Sequence, residues 1–84
     1  MGTVIGLNGT EIGAFVVELV GGIRLRLGLD DWERLGLYRG QLVPVRLTSR
    51  TVSLVIVEIT IHPPVVWVTL VRRSQETLPT LLGA

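Results

Sequence analysis

The chain contains no cysteine and no lysine, one histidine, one methionine and four aromatic residues. Without cysteine there is no disulfide, no thiolate nucleophile and no cysteine zinc site. A single histidine, His62, cannot build a histidine metal site within one chain. Charge is sparse: 8 arginines face 7 acidic residues, for a formal net charge of +1, and charged residues make up 18%. That excludes a charge-rich disordered segment and a non-specific, strongly basic nucleic-acid binder. Long hydrophobic runs are missing too. The run over residues 54–57 stops at Glu58, and the run over 63–71 is well short of the ~20 residues a spanning helix needs. No membrane insertion is expected. Met1-Gly2-Thr3-Val4 lacks the charged region that opens a signal peptide, so the expected location is cytoplasmic.

What the chain has is apolar residues, 48% of 84 positions. This is one domain at most. A domain near 60 residues buries only about 60% of its unfolded surface, and this one is modestly larger. With no disulfide or metal to help, so apolar a chain is expected to pack against a partner subunit.

The dominant period is two, the period of strands. A first strand is expected over residues 3–7, then Asn8-Gly9 as a two-residue type I′ hairpin turn. The second strand covers 11–20, with Phe15, Val17 and Leu19 inward and Val16, Glu18 and Val20 outward. Gly21-Gly22 makes the next turn. Over 23–27, Ile23, Leu25 and Leu27 point inward and Arg24 and Arg26 outward. The pattern then changes. Asp30 and Glu33 have the spacing of a capping box, and Gly36 can end the helix in the left-handed region with Leu37 folding back. A short helix is expected over 30–35, its Trp32 and Leu35 plugging a barrel end. Strands resume over 42–48, 52–62 and 65–72. Pro44 has no N–H to donate, which favours an edge or a bulge. In the fifth strand Val55, Val57, Ile59 and Ile61 share one face, and Leu54 and Ile56 make the other face apolar as well.

The expected fold is therefore all-β: a small closed or partly open barrel of about six strands, OB-like or of cradle-loop type, with one short helix. Closure removes exposed strand edges. The domain covers residues 1–73, and 74–84 form a C-terminal tail. Outward apolar residues mark an interface: Val16, Val20, Leu54, Ile56 and Trp67 are the candidates, and a homo-oligomer is the expected state.

Three stretches resemble a known family. Gly2-Thr3-Val4-Ile5 with Ala14-Phe15-Val16-Val17-Glu18-Leu19 and Gly21-Gly22-Ile23-Arg24-Leu25 resembles the opening of the Mop/TOBE barrel domains. Asp30-Asp31-Trp32-Glu33-Arg34-Leu35-Gly36-Leu37-Tyr38-Arg39-Gly40 is similar to their central segment, and Val43-Pro44-Val45-Arg46-Leu47-Thr48-Ser49-Arg50-Thr51-Val52-Ser53-Leu54 to the strand pair that follows. The resemblance spans about residues 2–54. It implies an OB-like barrel that assembles into oligomers and binds molybdate or tungstate between subunits, or that serves as an accessory domain of transporter ATPases. The family's anion-binding lysine falls on Thr48 here, and its hydroxyl position falls on Arg50, with Ser49 and Thr51 adjacent. Leu35-Gly36-Leu37 with Gly40 and Val43-Pro44-Val45 is also similar to AbrB-type DNA-binding domains, double-psi barrels and FeoA-like barrels.

Thr48, Ser49 and Arg50 are the candidate ligand-binding residues. An arginine fork and two hydroxyls supply the donors a tetrahedral oxyanion takes. The plainer reading is a polar hairpin turn. Asp30, Asp31 and Glu33 suit capping better than acid–base work, since no histidine or further acid lies nearby in sequence. Arg24, Arg26 and Arg46 form an outward basic stripe, for phosphate contacts or for ion pairs with Glu11, Glu18 and Glu58. Nucleic-acid barrels also need aromatics on that surface, and Phe15 and Trp32 read as core. Copies of His62 could meet in an oligomer, although a lone strand-end histidine is the simpler reading. Gly6, Gly9 and Gly13 read as turn and bulge glycines, not as a phosphate cradle. No catalytic motif appears, and the chain is not expected to be an enzyme. Two functions remain: an oligomeric barrel that binds an oxyanion at a subunit interface, and a non-catalytic assembly scaffold, of which a viral structural component or a designed barrel would be examples. An AbrB-like DNA-binding role is third.

Overall fold

The computed structural model describes residues 2–73. Six antiparallel strands close into a barrel in the order β1-β2-β3-β6-β5-β4. The strands are β1 (Gly2–Ile5), β2 (Glu11–Leu19), β3 (Gly22–Gly28), β4 (Leu42–Arg46), β5 (Thr51–His62) and β6 (Val65–Val71), with helix α1 (Leu29–Leu35) between β3 and β4. The expected tail over 74–84 lies outside the described residues.

The core is apolar throughout, with no buried polar or charged residue among those described. Leu25, Leu35, Val43, Val45, Ile56, Val66, Val68 and Leu70 are each at most 2% exposed. On β3 and β6 strict alternation puts Ile23, Leu25, Leu27 and Val66, Val68, Leu70 inside, as the period of two requires.

Two strands depart from the expected faces. On β2, Ile12 and Ala14 are buried and Val16 packs against the core, whereas Phe15, Val17 and Leu19 point outward. The register decides this. Phe15 pairs with Arg26 and Val17 with Arg24, so they share the outer face of those arginines. On β5, Leu54 and Ile56 face the core at 4% and 1% exposure, so neither is the outward interface residue the alternation suggested. A register shift between Ile56 and Glu58 is the cause. Ile56 pairs with the inward Leu70, the bulge absorbs Val57, and Glu58 then pairs with the outward Thr69. One extra residue switches parity: even positions point inward before the bulge, and Ile59, opposite the inward Val68, does so after it.

The turns also differ in detail. Gly9 alone has positive φ in the first hairpin, at +83°. Its N–H donates to the Gly6 carbonyl, and Gly6 N–H to the Thr10 carbonyl, so the connection is a wider loop and not a two-residue type I′ turn. Asn8 instead accepts the Thr10 N–H through Oδ1 at 3.1 Å. In the second turn Gly21 carries the positive φ, and Gly22 belongs to β3.

The helix begins one residue early, with Gly28 as N-cap and no side-chain capping bond. The capping box is therefore not formed. Asp30 and Asp31 sit inside the first turn, where their charge favours the positive helix end, and Asp31 lies 3.5 Å from Arg34. Leu29 N–H donates to the Pro64 carbonyl, fastening the helix start to the β5–β6 turn. Gly36 ends the helix in the left-handed region, as its place in the sequence predicts. Leu35 is buried, with Trp32 and Leu37 packed on the core beside it.

Candidate functional site

The barrel closes through a short seam. Among the described residues, strand β1 pairs with β4 at Thr3–Arg46 and Val4–Val45 alone. Pro44 lies just past that seam, where its missing N–H costs no ladder bond on the β1 side. Arg46 reaches over β1 to Glu11 on β2 at 2.8 Å. Both side chains are about half exposed (52% and 50%), so the pair is worth little. Arg46→Ala with Glu11→Ala in a double-mutant cycle is expected to give a coupling of about 0.2–1 kcal/mol that vanishes at 1 M salt, read by urea unfolding.

Among the described residues the outermost pairing of β1 with β2 is Gly2–Ala14, and residues 15–19 of β2 continue past it. Among the described residues this overhang pairs only with β3. Across from it stands the β4–β5 hairpin, closed by Leu47 N–H to the Arg50 carbonyl at 2.7 Å. The space between is a cleft of about 300 Å³ lined by Val16, Glu18, Leu47, Thr48, Ser49 and Arg50. A second hollow of about 320 Å³ adjoins it, sharing Glu18, Leu47 and Arg50 and adding Arg72. Arg72 N–H donates to the Gly21 carbonyl, which holds it at this end of the barrel.

All three candidate ligand residues thus line one cleft, because a tight hairpin presents consecutive side chains to the opening. Thr48, Ser49 and Arg50 are exposed. Glu18 and Arg72 join them, and sequence reasoning assigned neither to the site. No spacing links positions 18, 50 and 72; only the barrel topology does. The chemistry is mixed. Arg50 and the hydroxyls donate, but a dianion here meets the Glu18 carboxylate on the same wall.

A second surface lies on the outside of β2, β3 and β6. Registry sets Phe15, Arg26 and Trp67 in one row and Val17, Arg24 and Thr69 in the next. The Arg24 guanidinium lies 4.8 Å from the Trp67 ring centre, and that of Arg26 lies 5.2 Å from Phe15, within the range of cation–π attraction. Trp67 is outward and half-buried beneath this stack. Phe15, Val17 and Leu19 are 48%, 39% and 44% exposed. Val20, at the hairpin tip, is fully exposed, while Val16 turns to the core and the cleft. Of the five interface candidates, Val20 and Trp67 stand on the outer surface.

Among the described residues no three acidic or histidine side chains gather as metal ligands, and no helix is long and apolar enough to cross a membrane. Compared with known proteins, the chain matches no family model, no curated protein and no solved structure.

Proposed function

We propose that the chain is a non-catalytic interaction module, a small barrel that assembles with copies of itself. The observation that carries this reading is the β2 stripe. Phe15, Val17 and Leu19 are three successive outward positions, all large and apolar and all well exposed. On the neighbouring β3 the same face carries Arg24 and Arg26. A core strand hides such residues, and a solvated face replaces them; contiguous exposed apolar surface is the mark of an interface. Native mass spectrometry and light scattering over 1–100 µM (roughly the range in which modest interfaces dissociate) should give a discrete oligomer. A monodisperse monomer throughout would remove the proposal.

The oxyanion reading has one observation in its favour, the meeting of Thr48, Ser49 and Arg50 in a single cleft near Arg72. Glu18 in the same wall ranks it second. The same spectra recorded with molybdate, and with sulfate as control, decide it: a fixed gain of molybdate mass per subunit supports the site, and none rejects it.

A further inference from the structure

We propose that the outer face of β3 and β6, with Phe15 of β2 at its flank, binds single-stranded nucleic acid. Bases stack on the Trp67 and Phe15 cluster, and phosphates take Arg24 and Arg26. This activity is separate from self-association and goes beyond it.

Residue alternation turns the arginines outward but reads Phe15 as core, which leaves them short of aromatics. The register reverses that. Phe15 pairs with Arg26 and Arg26 with Trp67, so the three share one row. Arg24 stands in the next row, between Val17 and Thr69. Two rings set two strand spacings apart, about 10 Å, thus flank a pair of arginines. Single strands use such a surface by giving their backbone to the cations and their base faces to rings or guanidinium planes.

Neither arginine is neutralised. The described ion pairs engage Arg34 and Arg46, not Arg24 or Arg26. On β5 the outward acid level with Arg24 is Glu58, opposite Thr69 and therefore two strands away. The rings hold the guanidiniums instead. Arg24 lies 4.8 Å from the Trp67 centre, and Arg26 lies 5.2 Å from that of Phe15 and 6.0 Å from that of Trp67. The Nε of Arg24 is buried without a hydrogen-bond partner. Cations held on rings, with no acid beside them, keep their charge for a phosphate oxygen, which arginine takes in a forked geometry.

Beside this row the sheet is bare. Gly13 and Gly28 floor a trough of about 430 Å³ that Phe15, Arg26 and Asp31 border. A Cβ at Gly13 would meet nothing within 4 Å, which leaves room for a flat base. Asp31 repels a phosphate there and accepts an N–H from a base edge. The trough therefore suits a base, and the arginines beside it suit the phosphates.

The test is fluorescence anisotropy of the full chain with a labelled oligothymidylate of about 12 nucleotides. In about 50 mM salt the Kd should be roughly 1–100 µM, the range of non-specific binding. Two engaged phosphates give a salt slope of about −1.4, so about 200 mM salt should weaken binding about seven-fold. Arg24→Gln and Arg26→Gln should each weaken it roughly five-fold and flatten the slope by about 0.7. Arg39→Gln removes the same charge from an exposed residue of the α1–β4 loop and should leave the slope unchanged. Trp67→Leu keeps an apolar side chain on β6 and should weaken binding at least about five-fold through lost stacking. Circular dichroism verifies each fold, and the exposed Arg26 keeps the test decisive if Trp67→Leu does not fold. No binding at about 100 µM protein overturns the proposal, as does an affinity indifferent to Arg24, Arg26 and Trp67. A thymidylate–adenylate duplex bound as tightly overturns the stacking. Light scattering on the same samples reads self-association separately: a monomer that binds the single strand leaves this activity standing alone, and an oligomer that binds none removes it.

Discussion

Replacing Gly22 by alanine is expected to lower the melting temperature by roughly 12–24 °C, corresponding to about 3 kcal/mol for a domain of this size. Gly22 opens β3 and pairs with Val71. A Cβ added there would overlap the carbonyl oxygen of Leu70 and stand 3.0 Å from the Cα of Val71. Both obstacles are backbone, and both belong to the partner strand. No rotamer change relieves them, so β3 and β6 must separate at the end of their ladder. That ladder carries seven pairings and holds Ile23, Leu25 and Leu27 against Val66, Val68 and Leu70, so loosening it exposes much of the core. Gly13→Ala supplies the contrast. A Cβ at Gly13 meets nothing within 4 Å, and alanine reduces the freedom of the unfolded chain; the change should be neutral or stabilising by up to about 1 kcal/mol. Thermal unfolding of the two variants measures the difference. Equal melting points would mean that β3 and β6 do not approach as closely as the backbone shows.

Much of this architecture could be read from residue patterns. Strand number, strand order along the chain, the helix and its stop at Gly36 all follow from period-two runs and glycine punctuation. Residues 23–27 and 65–71 were the most legible, because each strand has one apolar and one polar or mixed face. Faces were lost where both sides of a strand are apolar. Over 15–20 every residue but Glu18 is apolar, and alternation alone cannot choose between Phe15-Val17-Leu19 and Ala14-Val16. The choice comes from pairing. Arg24 and Arg26 cannot enter an apolar core, and the register ties Phe15 and Val17 to them. Over 54–61 the obstacle was the bulge at Val57, which no local residue announces.

The site was legible in the same uneven way. Thr48, Ser49 and Arg50 are adjacent and polar between two strands, so their turn was visible. Their cleft was not, because its other wall is Val16 and Glu18 of β2, and only the closing of the barrel brings that strand opposite the turn. Glu18 enters from 30 or more positions upstream and Arg72 from more than 20 downstream.

Ile56→Asp should abolish folding at neutral pH, whereas Phe15→Asp should fold and lose self-association. The two changes place the same carboxylate on opposite sides of the barrel wall. Ile56 is 1% exposed in a core without any described buried polar group, so a carboxylate there loses its water and finds no partner. Such burial costs several kcal/mol or more, against a total stability of about 5–15 kcal/mol for an ordinary domain. Burial also raises the folded-state pKa of the new acid. Its penalty is then greatest above that pKa and shrinks as pH falls towards the unfolded value, so the variant regains structure on acidification. Phe15 is 48% exposed, beside Arg26. Aspartate at that position stays hydrated and faces a cation, and only the apolar stripe is broken. Far-ultraviolet circular dichroism and light scattering on the pair separate the two readings of the strand faces. A folded Ile56→Asp together with an unfolded Phe15→Asp would return Phe15 to the core and Ile56 to the outside, and would remove the β2 stripe on which self-association rests.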